Sequence, residues 1–198
     1  MSDQQRWNDR YAGRSEPGEP AFVLTANRHL LPAAGRALDL ACGLGANALL
    51  LAEHGLQVDA MDCSDIGLEK LASFARERGV TVNTVQSDIE LSFQLPSSYS
   101  VIVVSHYLYR PALPLLARAL QPGGLLFYQT FTRDKVSASG PSNPDYLLKP
   151  FELLYAFQQL ALRYYREDRL VLCDPTTAIV TTHHDLACFV GQKALADQ

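Results

Sequence analysis

The sequence has no apolar run approaching the ~20 residues of a membrane-spanning helix. Its first residues also lack the apolar stretch of a signal peptide. The net charge is −4, and no segment is rich in Lys and Arg, which argues against a protein whose whole surface neutralises phosphate backbones and leaves only a local basic patch open. The chain of 198 residues, 47% of them hydrophobic, can bury an ordinary core. We expect a soluble protein without membrane or nucleic-acid partners.

Cysteine is scarce and shows no pattern of a metal site. The four cysteines form no Cys-x-x-Cys pair and have no histidine at zinc-ligand spacing. His183, His184 and Asp185 could suggest a metal, but adjacent side chains point to opposite sides of a strand. We interpret them as a turn cluster and predict no metal. Reduced thiols are typical of a reducing compartment, so the sequence favours a cytoplasmic location.

Short apolar runs alternate with helical patterns along the chain. Buried strands are predicted at four apolar runs and one weaker run: 37–41, 58–61, 101–104, 125–128 and 80–85. Helices are predicted where apolar residues recur at helical spacing: 47–54, 66–78, 111–120 and 151–159. Two more strands are expected at 162–168 and 186–192. Strand alternating with helix predicts an α/β fold with a parallel sheet and helices on both faces.

A candidate ligand site lies where the first predicted strand meets the first of these helices. Gly43 and Gly45 let the backbone approach a ligand closely, and a helix N-terminus offers free N–H groups. Asp62 ends the next strand, where a carboxylate can accept hydrogen bonds from both hydroxyls of a ribose. Alternatively, the glycines only make a tight turn and Asp62 caps the helix that starts near Ile66. The order of strand, glycines, helix and carboxylate favours a nucleoside cofactor.

The type of cofactor is less clear from these residues. Gly43, Gly45 and Ala48 satisfy the dinucleotide pattern G-x-G-x-x-G/A. However, Asp39 lies within the strand, where its carboxylate could face a cationic sulfonium or amino group. Asp88 follows the third strand and could accept a hydrogen bond from an adenine amino group. These two carboxylates favour a cofactor other than a nicotinamide dinucleotide.

Several segments together resemble the class I S-adenosylmethionine (SAM)-dependent methyltransferases. The resemblance rests on residues 39–45 (DLACGLG), Asp62, residues 87–89 (SDI), the strand at 99–105 and residues 120–124 (LQPGG). Residues 7–11 (WNDRY) resemble the W-(N/D)-x-x-Y opening of small stand-alone members, including the tellurite-resistance (TehB-like) methyltransferases. The likeness covers almost the whole chain.

The resemblance implies a single Rossmann-like methyltransferase domain whose seven-stranded, mostly parallel sheet has one antiparallel strand, which residues 186–192 could supply. It implies SAM as the cofactor. We expect cofactor contacts from the glycine bend and the neighbouring strand ends: Asp39, Ala41, Gly43, Gly45, Asp62, Cys63, Asp88, Ile89 and Ser105. Ala41 stands where many members have the first glycine of D-x-G-C-G, and we expect its small side chain to preserve binding.

Trp7 and Tyr11 are also expected at the cofactor, since their spacing places them on one helix face. This helix could fold over the cofactor and exclude water, or the aromatic pair could simply pack a terminal helix onto the core. We expect one domain over residues 1–198 with four parts. These are an N-terminal helical lid (1–35), the cofactor-binding core (36–131), a long loop (132–150) and a C-terminal helix with strands (151–198).

His106 is the candidate catalytic residue, because it follows the fourth strand at the edge where α/β proteins bind ligands. With an unperturbed pKa of roughly 6.5, it could act as a general base or contact the substrate; alternatively it is a loop histidine. The acceptor is expected to be a thiol, a chalcogen oxyanion or another soft nucleophile, and a thiolate or a reduced chalcogen needs no general base. No N-P-P-Y sequence is present, which by resemblance disfavours methylation of nucleobase or glutamine amino groups.

We therefore predict SAM-dependent methyl transfer to a small-molecule acceptor. Two alternatives stay open at this point. The G-x-G-x-x-A match allows a nicotinamide-dependent oxidoreductase, and the same fold could serve as a non-catalytic cofactor-binding module.

Overall fold

Strands and helices alternate in the computed structural model, which describes residues 2–91, 95, 98–135, 137–167 and 185–195. The helices are α1 (Asp3–Ala12), α2 (Phe22–Ala26), α3 (Ala46–Glu53), α4 (Asp65–Glu77), α5 (Leu113–Ala119) and α6 (Glu152–Ala156). The strands are β1 (Arg36–Leu40), β2 (Gln57–Asp62), β3 (Val82–Gln86), β4 (Tyr99–Ser105), β5 (Leu120–Phe131), β6 (Ala161–Glu167) and β7 (Leu186–Gln192).

One seven-stranded sheet has the order β3-β2-β1-β4-β5-β7-β6. Strands β1 to β5 pair in parallel, whereas β7 pairs antiparallel with both β5 and β6. The predicted mostly parallel sheet, with residues 186–192 as its antiparallel strand, is confirmed. The chain order reverses between β1 and β4, and this position in an open α/β sheet creates a crevice beyond the carboxyl ends of the strands.

The central strands are buried on both faces, and each face carries its own hydrophobic cluster. Side chains alternate along β4, so Val101 and Val103 contribute to one cluster while Ile102 and Val104 contribute to the other. The first cluster includes apolar residues of α2, α3 and α4, and the second includes those of α5 and α6. Helices therefore cover both faces, as predicted.

The largest departure from the predicted elements is at the start of β5. Leu120, expected to end a helix, instead pairs with Tyr99, and Leu125 pairs with Val101. Residues 121–124, which precede the strand predicted at 125–128, therefore form a bulge within β5, where the pairing register with β4 shifts. A Cβ on Gly124 would lie 2.8 Å from the carbonyl oxygen of Tyr99, so the bulge depends on glycine at this close approach.

Candidate active site

The turn between β1 and α3 has three residues in the left-handed backbone region: Ala41 (φ 54°), Gly43 (φ 55°) and Gly45 (φ 81°). A Cβ on Gly45 would lie 2.2 Å from Cδ1 of Leu71, and a Cβ on Gly43 would lie 2.8 Å from the hydroxyl oxygen of Tyr11. Glycine is therefore needed at both positions for space as well as for conformation. The turn presents bare backbone at the carboxyl end of β1, which suits close approach of a ligand.

Asp62, at the carboxyl end of β2, is only 4% exposed and lies beside this turn. Its Oδ2 accepts a hydrogen bond from the Gly43 N–H (2.8 Å), and its Oδ1 accepts one from the Ser64 N–H (2.9 Å). Burial raises the pKa of the carboxyl, although both N–H groups favour the ionised form. Cys63 also contributes hydrogen bonds that favour the ionised form, so donors of the protein surround Asp62 at this strand end.

The alternative in which Asp62 caps α4 is wrong. The N-cap residue of α4 is Ser64, whose Oγ accepts a hydrogen bond from the Gly67 N–H (3.0 Å). Asp62 instead connects the glycine turn to Ser64, the residue at which α4 starts. Its position fits the acidic residue that the nucleoside-cofactor prediction requires.

Asp39 lies one strand away, in β1, and is completely buried. Its Oδ2 accepts a hydrogen bond from the Ala48 N–H (3.0 Å), and its Oδ1 accepts one from Nδ2 of Asn47 (3.4 Å). Asn47 also donates to Oγ of Ser105, at the end of β4 (3.0 Å). The structure thus brings Asp39 and Ser105 together through Asn47, a residue to which the sequence pattern assigned no role.

The segment after β3 lies next to the end of β2. The Ser87 N–H donates to the carbonyl oxygen of Asp62 (3.0 Å), and Ile89 is buried. Burial raises the pKa of the Cys63 thiol to about 12, and the negative charges of Asp62 and Asp88 act in the same direction. These residues therefore gather at one edge of the sheet, as predicted. The carboxylate of Asp88 accepts a hydrogen bond from the Glu90 N–H (3.0 Å).

Helix α1 lies over the glycine turn and places Tyr11 against Gly43 and Gly67. The Trp7 and Tyr11 rings stack with their centroids 5.5 Å apart, which confirms that they share a helix face. Burial and the nearby charge of Asp62 raise the pKa of the Tyr11 hydroxyl. The phenol therefore stays protonated as it covers the turn.

Polar contacts hold α1 against α4. Asn8 donates to Oδ1 of Asp65 (2.7 Å) and accepts from Oγ of Ser64 (2.6 Å). The ammonium of Lys70 donates to three carbonyl oxygens at and beyond the end of α1, those of Tyr11 (2.7 Å), Ala12 (2.7 Å) and Arg14 (2.5 Å). None of the residues of α1 is buried, so these hydrogen bonds are the principal described attachment of the helix.

His106 follows β4 in a left-handed backbone conformation (φ 55°), and its N–H donates to the carbonyl oxygen of Gln129 (2.8 Å). Its ring centroid lies 5.4 Å from that of Phe131, at the end of β5. The residue is exposed overall, but neighbouring protein partly desolvates the imidazole and lowers its pKa. His106 is therefore a neutral base at pH 7. Among the described residues, no hydrogen bond or ring contact joins His106 to the cluster around Asp62.

The long loop lies against the same aromatic ring. A Cβ on Gly140 would lie 2.6 Å from Cε1 of Phe131. Arg110 fixes the far side of the loop by donating to the carbonyl oxygens of Asp145 (2.5 Å) and Leu147 (3.0 Å), and it forms an ion pair with Glu152 (2.6 Å). The loop thus borders the end of β4, where an acceptor could approach.

Within the described ranges, no group of three or more His, Cys, Asp or Glu side chains could hold a metal ion. Of the predicted turn cluster, Asp185 precedes β7, whereas His183 and His184 lie outside the described residues. In the same part of the chain, no helix is long and apolar enough to cross a membrane.

Comparisons with known proteins agree with this geometry. Residues 37–124 match the family model of a methyltransferase domain. The ubiquinone biosynthesis O-methyltransferase of Vibrio cholerae is 28% identical over 183 residues, which cover 80% of this chain and 74% of that protein. TehB from Haemophilus influenzae has a TM-score of 0.67 at 18% identity, over 96% of this chain and 66% of TehB. A TehB-like SAM-dependent methyltransferase from Corynebacterium glutamicum has a TM-score of 0.62 at 18% identity, over 96% and 95% of the two chains.

The sheet and the matched domain define the class of protein as a Rossmann-like methyltransferase of class I. The protein is a SAM-dependent methyltransferase, with SAM as its cofactor, and it resembles TehB. The nicotinamide-dependent oxidoreductase finds no support, because the matched family and these relatives are methyltransferases.

Sequence reasoning missed the polar residues that hold the site together, above all Asn8, Asn47 and Lys70. Asn8 lies inside the WNDRY segment and Asn47 inside the G-x-G-x-x-A segment, but the sequence pattern assigned no contact to either side chain. Their partners are far away in sequence: Ser64 is 56 positions from Asn8, and Ser105 is 58 positions from Asn47. A weak signal did exist for α4, since Ser64 followed by Asp65 is typical of a helix N-terminus.

Proposed function

We propose that this enzyme transfers a methyl group from SAM to a small-molecule acceptor at the carboxyl edge of the sheet. The observation that carries the proposal is the buried carboxylate of Asp62 at the carboxyl end of β2, which accepts a hydrogen bond from the Gly43 N–H of the glycine turn. A carboxylate at this strand end, beside a glycine turn, is the arrangement that suits the hydroxyl groups of a ribose.

The residues around the turn fit the remaining parts of a nucleoside cofactor. In this proposal Asp62 binds the ribose, and Gly43 and Gly45 let the chain pass close to the ligand. Asp88 and Ile89 border the adenine, one through a hydrogen bond and the other through its apolar side chain. When bound, SAM supplies a methyl group activated by a sulfonium. Ala41, Cys63 and Ser105 complete the rim of the site.

Helix α1, with Trp7 and Tyr11, acts as the lid of the proposed site and excludes water. Residues 1–35 would thus form a lid, residues 36–131 the core, residues 132–150 an acceptor loop, and residues 151–198 the remaining part of one domain. Methyl transfer by in-line displacement needs alignment of the reacting atoms more than acid–base chemistry. Such positioning can contribute about 7–11 kcal/mol to catalysis.

The acceptor determines whether His106 takes part. Its neutral imidazole, at the end of β4 and beside Phe131, could accept the proton of a hydroxyl acceptor. A thiolate or a chalcogen oxyanion would need no such base. The Vibrio cholerae relative is an O-methyltransferase, which favours the hydroxyl class for the first tests. The free thiols of Cys42 and Cys63 suit the cytoplasmic location that forms part of the proposal.

Calorimetry tests the cofactor site directly. We expect SAM and S-adenosylhomocysteine to bind, and Asp62→Ala to weaken SAM binding by about 1–3 kcal/mol through loss of charge-assisted hydrogen bonds. Glu77→Ala, an equal change of charge at the exposed end of α4, is the matched control and should leave the affinity unchanged. Unaltered affinity in Asp62→Ala would contradict the ribose assignment.

Product formation from two related acceptors tests the role of His106. Catechol offers hydroxyl groups on a benzene ring. Benzenethiol offers a thiolate on a benzene ring of similar size. We expect His106→Asn to reduce turnover of catechol by about 10²-fold or more, while that of benzenethiol changes little. Equal effects on both acceptors would exclude a general-base role. SAM binding without methyl transfer to any component of a metabolite extract would instead support the non-catalytic module.

A further inference from the structure

The first turn of α3 lacks a cap from its own N-cap residue. That residue is Gly45, which has no side chain and adopts a left-handed conformation. The N–H of Ala48, at the third helical position, instead donates to Oδ2 of Asp39 in β1 (3.0 Å). An N-cap side chain commonly satisfies this N–H, so a carboxylate from the neighbouring strand replaces the missing cap.

Asn47 extends this contact across the crevice between β1 and β4. Its Nδ2 lies 3.4 Å from Oδ1 of Asp39 and 3.0 Å from Oγ of Ser105. Its Oδ1 accepts a hydrogen bond from the N–H of Ala21, where α2 begins (2.8 Å). Asn47 is only 4% exposed, and its amide thus connects α3 to β1, β4 and α2.

Asp39 itself has no surface open to a ligand. The residue is 0% exposed, and both its oxygens face donors of the protein. Because Asp39 is 0% exposed, direct contact with a cationic group of the cofactor would require the carboxylate to turn out of its buried position and away from one of these donors. That would leave a buried N–H without an acceptor, which costs about 1–3 kcal/mol.

We propose that Asp39 and Asn47 are positioning residues for the cofactor: Asp39 caps α3, and Asn47 fixes the glycine turn against Ser105 and the start of α2. Neither residue contacts the sulfonium or the amino group of SAM. This inference rests on the proposed cofactor site at the glycine turn, and it assigns Asp39 a role different from the direct contact expected from the sequence.

A reciprocal substitution tests the network. Asp39→Asn alone places an amide NH₂ opposite that of Asn47, and Asn47→Asp alone places two carboxylates opposite each other. The double variant Asp39→Asn/Asn47→Asp restores a donor facing an acceptor. The new amide oxygen at position 39 can accept from the Ala48 N–H. The new carboxylate at position 47 can accept from the Ala21 N–H and from the Ser105 hydroxyl.

We expect each single variant to weaken SAM binding about tenfold or more, and the double variant to return to within about threefold of the native affinity. Thermal unfolding without cofactor should follow the same order, because the network exists in the free protein. A double variant that binds SAM as weakly as Asp39→Asn would overturn the proposal. If a single variant does not fold, the double variant is compared with the native protein, and SAM affinity more than about tenfold weaker than native overturns the proposal.

A second ligand separates positioning from direct contact. 5′-Methylthioadenosine carries the adenosine but neither the sulfonium charge nor the amino acid. A positioning role predicts that Asp39→Asn weakens the binding of both ligands by similar factors. A loss confined to SAM would show direct contact with its charged part and overturn the proposal.

Asp59→Asn is the matched control, since Asp59 is also a buried carboxylate, bonded to Arg36, Asn83 and Tyr99. It lies toward the amino end of β2, and its loss should lower thermal stability without altering SAM affinity. If Asp59→Asn weakens SAM binding as much as Asp39→Asn, the effect of Asp39 is general destabilisation and the proposal fails. If the native protein binds no SAM, the proposed cofactor site fails as well, whereas failure of the double variant alone leaves that site intact.

Discussion

The attachment of α1 to α4 depends heavily on one cation. Lys70→Met keeps the length and most of the apolar stem of the side chain but removes the ammonium that donates to Tyr11, Ala12 and Arg14. We expect α1 to separate from the glycine turn more often in this variant. The remaining fold should be affected little, because Lys70 makes these contacts outside both hydrophobic clusters.

The size of the effect follows from the environment of the ammonium. Hydrogen bonds to a charged group contribute about 1.5–3 kcal/mol each where water is excluded. Two of the three bonds of Lys70 are exposed, so hydration of the cation offsets most of this energy. A cation at a helix C-terminus contributes about 0.3–1 kcal/mol. We therefore expect a total loss of about 1–2 kcal/mol, which corresponds to about a tenfold fall in the docked population.

Trp7 reports on α1 alone, because it is the single tryptophan of the chain. Acrylamide should quench its fluorescence more strongly in Lys70→Met than in the native protein, and amides of α1 should exchange hydrogen faster. Lys135→Met is the matched control, since the Lys135 ammonium donates to one carbonyl oxygen, that of Ser139, within the long loop (2.8 Å). Identical quenching and exchange in the two variants would refute the reasoning.

Three further perturbations have defined outcomes. Ala41→Gly relieves a left-handed alanine and should raise the free energy of unfolding in urea by about 0.5 kcal/mol, because the gain exceeds the entropy cost of glycine; a decrease would contradict this. Glu152→Gln removes the charge that pairs with Arg110, so limited proteolysis should cut residues 132–150 faster while calorimetry finds SAM affinity unchanged. Burial raises the pKa of Asp39 from 3.8 to about 7, so the folded protein holds a proton that the unfolded chain releases. The free energy of unfolding should thus fall more steeply from about pH 4 to 7 in the native protein than in Asp39→Asn, and equal slopes would exclude this shift.

The sheet could be predicted because its central strands carry their own signal. Val101–Val104 lie in β4 with both faces covered, so every residue of the run is apolar. The start of β5 could not be predicted in the same way. Leu120 continues a helical pattern, and only its pairing with Tyr99 assigns it to the strand. That pairing depends on the position of β4, which local sequence does not contain.

In the site, as in the sheet, some features could be predicted from local sequence and others depend on distant partners. That Gly43, Gly45 and Asp62 lie together could be predicted, because the carboxyl ends of neighbouring parallel strands meet at one edge of the sheet. Asp39 shows the limit of this reasoning. A carboxylate in a buried strand next to a glycine turn suggests a ligand contact, and only the coordinates show that its oxygens face Ala48 and Asn47. A residue type indicates what a group can bind, while the fold decides which partner it meets.

The proposed site has a floor, formed by Asp39 and Asn47 beneath the glycine turn, and a cover, formed by helix α1. Buried hydrogen bonds hold the floor and partly hydrated ones hold the cover, which suits a fixed floor and a cover that opens. Asp39 and Asn47 lie beneath the turn, buried and bonded to protein groups, so the backbone that faces the cofactor is fixed before binding. Helix α1 covers the turn through hydrogen bonds of Asn8 and Lys70 and buries none of its residues. A cover attached by partly hydrated bonds can open at a cost of a few kcal/mol. In the proposed function this lets cofactor and product exchange while the floor keeps its geometry.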